Sequence, residues 1–287
     1  MKILKNEALA SFTTVKIGGS AQTLIITDTI QEFIETLQKT GPSDLFILGN
    51  GSNILISDRG IPATVVKNNS QSVEYLDSDL VKVDSGVQLP WLINDTISHS
   101  LSGLEEFAYI PSSIGGAIYG NIHGVNKSNF DKFVRKITVF NRKTQTVEEL
   151  DSQSMSWDYD FSEFKKKPHL IILSAILQLT PGNKKLAQQQ VKDIIAKKIL
   201  SQSMNSLGST FKNPPGDAAG RIIDQELNLK GYRIGDAQIS PKHANFILNL
   251  GQATATDYKA VIDHVIQTAK TKLNLTLEPE IIFWGQF

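Results

Sequence analysis

Apolar and polar positions alternate in short blocks through the first third of the chain. Thr23-Leu24-Ile25-Ile26, Leu45-Phe46-Ile47-Leu48, Asn53-Ile54-Leu55-Ile56, Ala63-Thr64-Val65-Val66 and Leu80-Val81-Lys82-Val83 are apolar or β-branched runs bounded by turn formers, and each predicts a short strand. Between the first two, residues 29–37 place apolar side chains at helical spacing, which predicts a surface helix. A second helix is expected over 89–101, with strands returning at 136–140 and 170–179. Residues 184–199 read as a polar-faced helix that the Ser-rich stretch 201–206 breaks. The clearest helix covers 257–273, where Tyr258, Val261, Ile262, Val265, Ile266, Ala269 and Leu273 form one stripe, and a last strand is expected over 275–284. This is an α+β pattern. It predicts a mixed α/β region over 1–190, a boundary near 185–205, and a smaller α+β domain over 200–287.

With 287 residues the chain can bury a large core, and two domains fit that length. Lys+Arg and Asp+Glu both number 29, so there is no global basic field to collect nucleic acid or an anionic membrane. No segment approaches the roughly 20 apolar residues of a membrane span. Charges break the start of the chain before a signal-peptide apolar stretch forms, so a cytoplasmic location is the expectation. With no cysteine, thiolate metal sites, Fe–S ligation and cysteine nucleophiles are excluded, and the five histidines show no paired metal-ligand spacing. No metal is expected, and difficult chemistry would come from a diffusible organic cofactor. Oligomeric state is not legible.

Three segments concentrate chemistry. Gly49-Asn50-Gly51-Ser52-Asn53 lies between two strand-like runs, where its main-chain N–H groups and the Ser52 and Asn53 side chains suit a pyrophosphate, although Asn-Gly equally favours a tight hairpin. Ile110-Pro111-Ser112-Ser113-Ile114-Gly115-Gly116-Ala117 offers a second glycine loop, and a pair of such loops suits an extended dinucleotide; a structural turn entering a helix is the competing reading. Gly208-Ser209-Thr210-Phe211-Lys212-Asn213-Pro214 sets a hydroxyl, a cation and an amide on a turn bounded by Gly and Pro, where a small anionic substrate could be held and protonated. Taken alone, Ser209 is more often a turn or cap residue.

The 208–214 segment, continued by Pro215-Gly216-Asp217-Ala218-Ala219-Gly220-Arg221-Ile222-Ile223, closely resembles the substrate loop of the UDP-N-acetylenolpyruvoylglucosamine reductase family. Thr13-Thr14-Val15-Lys16-Ile17-Gly18-Gly19 and both glycine loops resemble the FAD-binding domain of the same family, and the overall length resembles its shorter subtype. The resemblance implies an FAD-binding mixed α/β domain of the vanillyl-alcohol-oxidase/reductase type plus a smaller substrate domain. It also implies a flavoprotein oxidoreductase of peptidoglycan precursor synthesis, serving cell wall biogenesis, cell shape and cell division. In that family NADPH reduces FAD and leaves, and the flavin then passes hydride to the enol ether of a sugar nucleotide. Ser209 matches the serine that protonates the adjacent carbon, and Glu280 matches the active-site glutamate. Tyr159, Lys212 and Asn213 match substrate-binding positions. Gly49, Asn50, Gly51, Ser52, Asn53, Pro111, Ser112, Ser113, Gly115, Gly116 and Asn121 match the cofactor-binding ones. Lys242-His243-Ala244-Asn245-Phe246 resembles a family segment that we read as scaffolding.

The chain departs from the family at telling places. In Tyr159-Asp160-Phe161-Ser162, Asp160 stands where the family carries an arginine that steadies the substrate carboxylate and developing enolate. Losing such a donor costs about 10²–10³ in rate. A carboxylate facing an anion about 4 Å away adds on the order of 4 kcal/mol of repulsion at an effective dielectric near 20. Three escapes follow: Asp160 turns away, Lys165 or Lys166 takes over, or the substrate differs. Tyr109 and Ser112 occupy positions usually held by glycine, Ile122-His123-Gly124-Val125-Asn126 replaces a small-residue run, and Ile282 stands where an arginine is usual. A positive φ at Ser112 would cost roughly 1 kcal/mol or more. Two rival readings stand beside this one: a non-enzymatic or regulatory paralogue that keeps the fold, which Asp160 supports, and a flavin-dependent oxidase acting on another substrate, against which the intact 208–214 segment argues.

Overall fold

The computed structural model describes residues 1–41, 45–202 and 205–287. Among the described residues no helix is long and apolar enough to cross a membrane. A four-stranded sheet has the order Lys2–Ala8, Ser20–Thr27, Ile61–Asn68, Leu45–Leu48. A five-stranded antiparallel sheet has the order Thr146–Asp151, Val134–Asn141, Leu170–Gln178, Leu80–Asp84, Val73–Tyr75. A three-stranded sheet joins Arg233–Ile234, Ala237–Ile239 and Ile247–Asn249, and Ile282–Trp284 pairs in parallel with Ile54–Ile56.

Contacts divide the chain into two compact units, one of residues 1–3, 25–49 and 65–196, the other of residues 4–24, 50–64 and 197–287. In the first unit the five-stranded sheet is apolar on both faces. Val81, Val83, Ile137, Val139, Ala175 and Leu177 pack against Leu89, Leu92, Ile93 and Ile97 of the helix Leu89–Ser98. A register shift between Ile172 and Ser174 turns Leu173 to the other face, where it meets Phe140 and the helix residues Phe33 and Leu37. That helix, Ile30–Lys39, starts where Thr29 accepts a hydrogen bond from Glu32 N–H.

In the second unit Val15, Ile17 and Leu55 share one core with Phe211, Tyr258, Val261, Ile262 and Val265. The helix Ala255–Leu273 opens with a Thr254/Asp257 capping box. Asp58 supplies a second cap from far along the chain, accepting from Ala255 N–H at 2.7 Å and Thr256 N–H at 2.8 Å. The contiguous division 1–190 and 200–287 therefore differs from the observed units. Residues 4–24 and 50–64 group with the carboxyl-terminal part because their apolar side chains fill its core and Ile54–Ile56 pairs with its last strand. One junction between the units lies at 196/197, and residues 203 and 204 of the expected 185–205 interval lie outside the described set.

The predicted strands and helices occur, and strands that the patterning did not show join them, among them Val73–Tyr75, Thr146–Asp151, Ala237–Ile239 and Ile247–Asn249. Lys2–Ala8 is a strand that hydrophobic patterning did not show, because its residues are exposed or only partly covered and its lysines suit a sheet edge. The expected strand over 275–284 is regular only at Ile282–Trp284.

Candidate active site

The Ser209 segment is held from both sides within the second unit. Thr210 N–H donates to the Asn245 carbonyl at 2.7 Å, and the Asn245 side chain closes on Phe211, accepting from its N–H at 2.9 Å and donating to its carbonyl at 2.8 Å. On the other side Lys212 N–H donates to Glu278 O and Glu280 N–H donates to Thr210 O. Asn53 completes the arrangement: its Nδ2 donates to the Glu280 carbonyl at 3.3 Å, and its own carbonyl accepts from Ile282 N–H at 2.9 Å. Ser209, Glu280 and Asn53, distant in sequence, thus sit on adjoining backbone segments. Gly208 has φ +78° and open space around its α-carbon, and the half-buried Ser209 hydroxyl makes no hydrogen bond to the protein among the described residues.

Lys212 Nζ pairs with Glu278 Oε1 at 2.5 Å on the surface, so an incoming anion competes with that carboxylate. Asn213 Oδ1 accepts from Ala219 N–H at 3.0 Å and fixes the turn into the short helix that follows. His243 lies beneath the clamp and accepts from Asn245 N–H through Nδ1 at 3.3 Å. Burial, and then the Lys198 charge, push its pKa below the ordinary histidine value. Burial thus favours the neutral ring of this hydrogen-bonded histidine.

The first glycine loop has the features of an anion cradle. Gly51 has φ +59°, and a Cβ there would lie 2.5 Å from Phe12 O and 2.9 Å from Thr13 Cα, so only glycine fits. The main-chain N–H groups of Gly51, Ser52 and Asn53 have no protein acceptor among the described residues. In the first unit, a Cβ on Gly49 would come within 2.9 Å of Ser113 Oγ, which brings the start of this loop against the second one. Lys67 Nζ donates to Gly49 O at 2.7 Å, and burial lowers its pKa.

In the second loop Ser113 caps the helix Ile114–Gly120 by accepting from Gly116 N–H, and Ser112 Oγ donates to Ser113 O at 2.9 Å. Ser112 does not have a positive φ, so the strain expected from its replacement of glycine does not arise. Asn121 ends that helix in the left-handed region at φ +47°. Both ends of its buried amide are engaged, Nδ2 with Asp158 O at 2.9 Å and Oδ1 with Asp131 N–H at 2.9 Å. It therefore positions the Tyr159 turn and does not present its side chain to a cofactor.

That turn caps a hairpin in which Trp157 pairs with Ser162 and Asp158 with Phe161. Asp160, at φ +51°, turns its carboxylate to His123, with Oδ1 3.0 Å from Nδ1, while Lys165 Nζ donates to the Asp160 carbonyl at 2.5 Å. The Asp160 carboxylate is thus directed at His123, and Lys165, a cation of the second escape, lies at its main-chain carbonyl.

The reductase family's C-terminal domain pattern, described as UDP-N-acetylenolpyruvoylglucosamine reductase, C-terminal domain, matches residues 200–284, and an FAD binding domain pattern matches residues 21–150. The UDP-N-acetylenolpyruvoylglucosamine reductase of Fusobacterium nucleatum is 36% identical over 283 residues, covering 98% of this chain and 99% of that protein. The Bacillus subtilis protein of the same name is 34% identical, covering 99% of this chain and 94% of that protein. The chain belongs to the UDP-N-acetylenolpyruvoylglucosamine reductase family. The crystal structure of the Thermus caldophilus reductase superposes with a TM-score of 0.84 at 31% identity, covering 99% of this chain and 98% of that one.

The chain is accordingly an FAD-binding oxidoreductase of the reductase family, with the α+β architecture expected for it. The N–H groups at 51–53, without a protein acceptor among the described residues, fit an FAD diphosphate. Reductase-family patterning did not point to Lys67, Asn245 or Glu278 as individual contributors. A lone cation inside the apolar strand Ile61–Asn68 and a lone amide among Ala244, Phe246 and Ile247 were the available signals, since buried polar groups need partners.

Proposed function

We propose that this chain reduces UDP-N-acetylglucosamine enolpyruvate to UDP-N-acetylmuramate with electrons from NADPH, in peptidoglycan precursor synthesis in the cytoplasm. The clamped Ser209 segment beside Glu280 carries the reading. When bound, FAD accepts electrons from NADPH and supplies hydride to one carbon of the enol ether. The neighbouring carbon then needs a proton, and the Ser209 hydroxyl, which no protein group engages among the described residues, supplies it. Serine is a weak acid in water, so its donation requires a strongly basic partner and a fixed approach, which the hydrogen bonds around Thr210 and Phe211 support. Glu280 assists at the developing enolate. Gly49 to Asn53 together with Pro111, Ser112, Ser113, Gly115 and Gly116 hold FAD, and Lys67 steadies the first loop. Tyr159, Lys212 and Asn213 bind the substrate, with Lys212 exchanging Glu278 for a substrate anion.

The test follows each half-reaction separately. With Ser209→Ala, anaerobic bleaching of the flavin by NADPH is expected at the native rate. Recolouring by the enolpyruvyl sugar nucleotide should slow by about 10² or more. Native-rate recolouring in Ser209→Ala would remove Ser209 from the reaction. Recolouring of the native holoenzyme by oxygen alone would favour an oxidase.

A further inference from the structure

Two departures from the reductase family, His123 and Asp160, meet in space within the first unit. Asp160 Oδ1 lies 3.0 Å from His123 Nδ1, and its side chain is only 9% exposed. His123 Nε2 lies 3.3 Å from the Tyr159 hydroxyl, and the two rings stack at 4.6 Å with a 31° tilt. The geometry is a series of carboxylate, imidazole and phenol, and Tyr159 remains 42% exposed at its end. Three contacts hold the hairpin that carries it: Asn121 Nδ2 on Asp158 O, Ser162 Oγ on Tyr119 O, and Lys165 Nζ on Asp160 O.

Hydrogen-bond chemistry fixes what the series can do. An ionised carboxylate only accepts, so His123 Nδ1 carries a proton toward Asp160. The remaining ring nitrogen then has two states. Neutral, Nε2 accepts the phenolic proton of Tyr159, and the phenol oxygen faces outward as an acceptor. Protonated, Nε2–H donates to that oxygen, and the phenolic proton is released toward whatever lies beyond. Asp160 favours the protonated state by charge, and its second oxygen is buried without a hydrogen-bond partner among the described residues.

We propose that His123, held by Asp160, is a proton-dependent positioning residue that makes Tyr159 a hydrogen-bond donor to an anionic oxygen of the substrate, carboxylate or diphosphate. The pair thereby replaces the fixed cation that the family carries at position 160 with a titratable one. This rests on the function proposed above, in which Tyr159 binds the sugar nucleotide. Asp160 and Tyr159 face the imidazole directly. Among the described residues, the other charged or titratable groups near it include Lys165 at the Asp160 carbonyl, Tyr119 and Asp158 at the hairpin's contacts, Asp131 on the Asn121 amide, and Glu106 packed against Gly124.

The experiment measures affinity of the oxidised holoenzyme for the enolpyruvyl sugar nucleotide by titration calorimetry from pH 5.5 to 9, alongside NMR titration of the histidine rings with and without that ligand. The native protein should bind about tenfold more weakly at high pH than at low pH, and the ligand should raise the His123 pKa by about one unit, since the two effects are the same linkage. The His123 signal is the one lost in His123→Gln. That variant should keep its FAD and its reduction by NADPH while losing the pH dependence. Asp160→Asn should move the transition to lower pH. The double variant His123→Ala/Asp160→Arg should bind tightly at every pH. Identical pH profiles for native protein and His123→Gln, or a His123 titration unmoved by ligand, would overturn the inference. If the native holoenzyme neither binds nor is recoloured by the sugar nucleotide, the proposed function fails instead.

Discussion

Asn245→Ala tests whether the hydroxyl proposed to react, that of Ser209, depends on a buried amide. The Asn245 side chain engages both main-chain groups of Phe211, at 2.9 and 2.8 Å, and the two residues are 4% and 1% exposed. Truncation leaves one buried N–H and one buried C=O without partners, each costing about 1–3 kcal/mol. The sum is roughly 2–6 kcal/mol, toward the lower end if water enters the space left by the amide. The backbone bond from Thr210 N–H to Asn245 O survives the change, so the segment loosens at Phe211 without leaving its place. The expected outcome in urea unfolding is a loss of about 2 kcal/mol or more. In anaerobic kinetics, flavin reduction by NADPH should stay native while recolouring by the enolpyruvyl sugar nucleotide slows at least about tenfold, because misplacement of a reacting group is costly. Stability within about 0.5 kcal/mol of native, with unchanged recolouring, would show that the clamp neither holds the fold nor aims Ser209.

Other expectations follow from the same structure. Asp58→Ala removes the second cap of the helix Ala255–Leu273 and should cost about 1–2 kcal/mol in thermal or urea unfolding; no change would mean that the Thr254/Asp257 box suffices alone. Gly51→Ala meets Phe12 O at 2.5 Å in a left-handed conformation, so purified protein should lose bound FAD and unfold more easily, read from flavin absorbance and melting. His243 has a lowered folded pKa, so between that value and the unfolded pKa near 6.5 the unfolded chain binds more protons, and stability rises with pH. The His243 contribution is complete above about pH 6.5 and lost as pH falls through that window. In His243→Gln the slope of stability against pH between 5 and 7 should be shallower, and an unchanged slope would refute this assignment.

Local pattern determined much of this protein. The helix Ala255–Leu273, the helix Ile30–Lys39 and the strands Leu45–Leu48, Leu80–Asp84 and Leu170–Gln178 follow from apolar periodicity, because each buries one face or both. The turns of the glycine loops and of the 208–214 segment were equally legible, since the positive φ at Gly51 and Gly208 demands glycine. Contacts between distant residues were not. Periodicity reports which side of an element is buried and is silent on what covers it, so residues 4–24 and 50–64 joined the carboxyl-terminal core without a local signal. The same limit applied to Asp160. From its neighbours it was a misplaced charge, and the tertiary structure alone decided that it pairs with His123, 37 residues away, because an ion pair depends on a distance in space that sequence separation does not set.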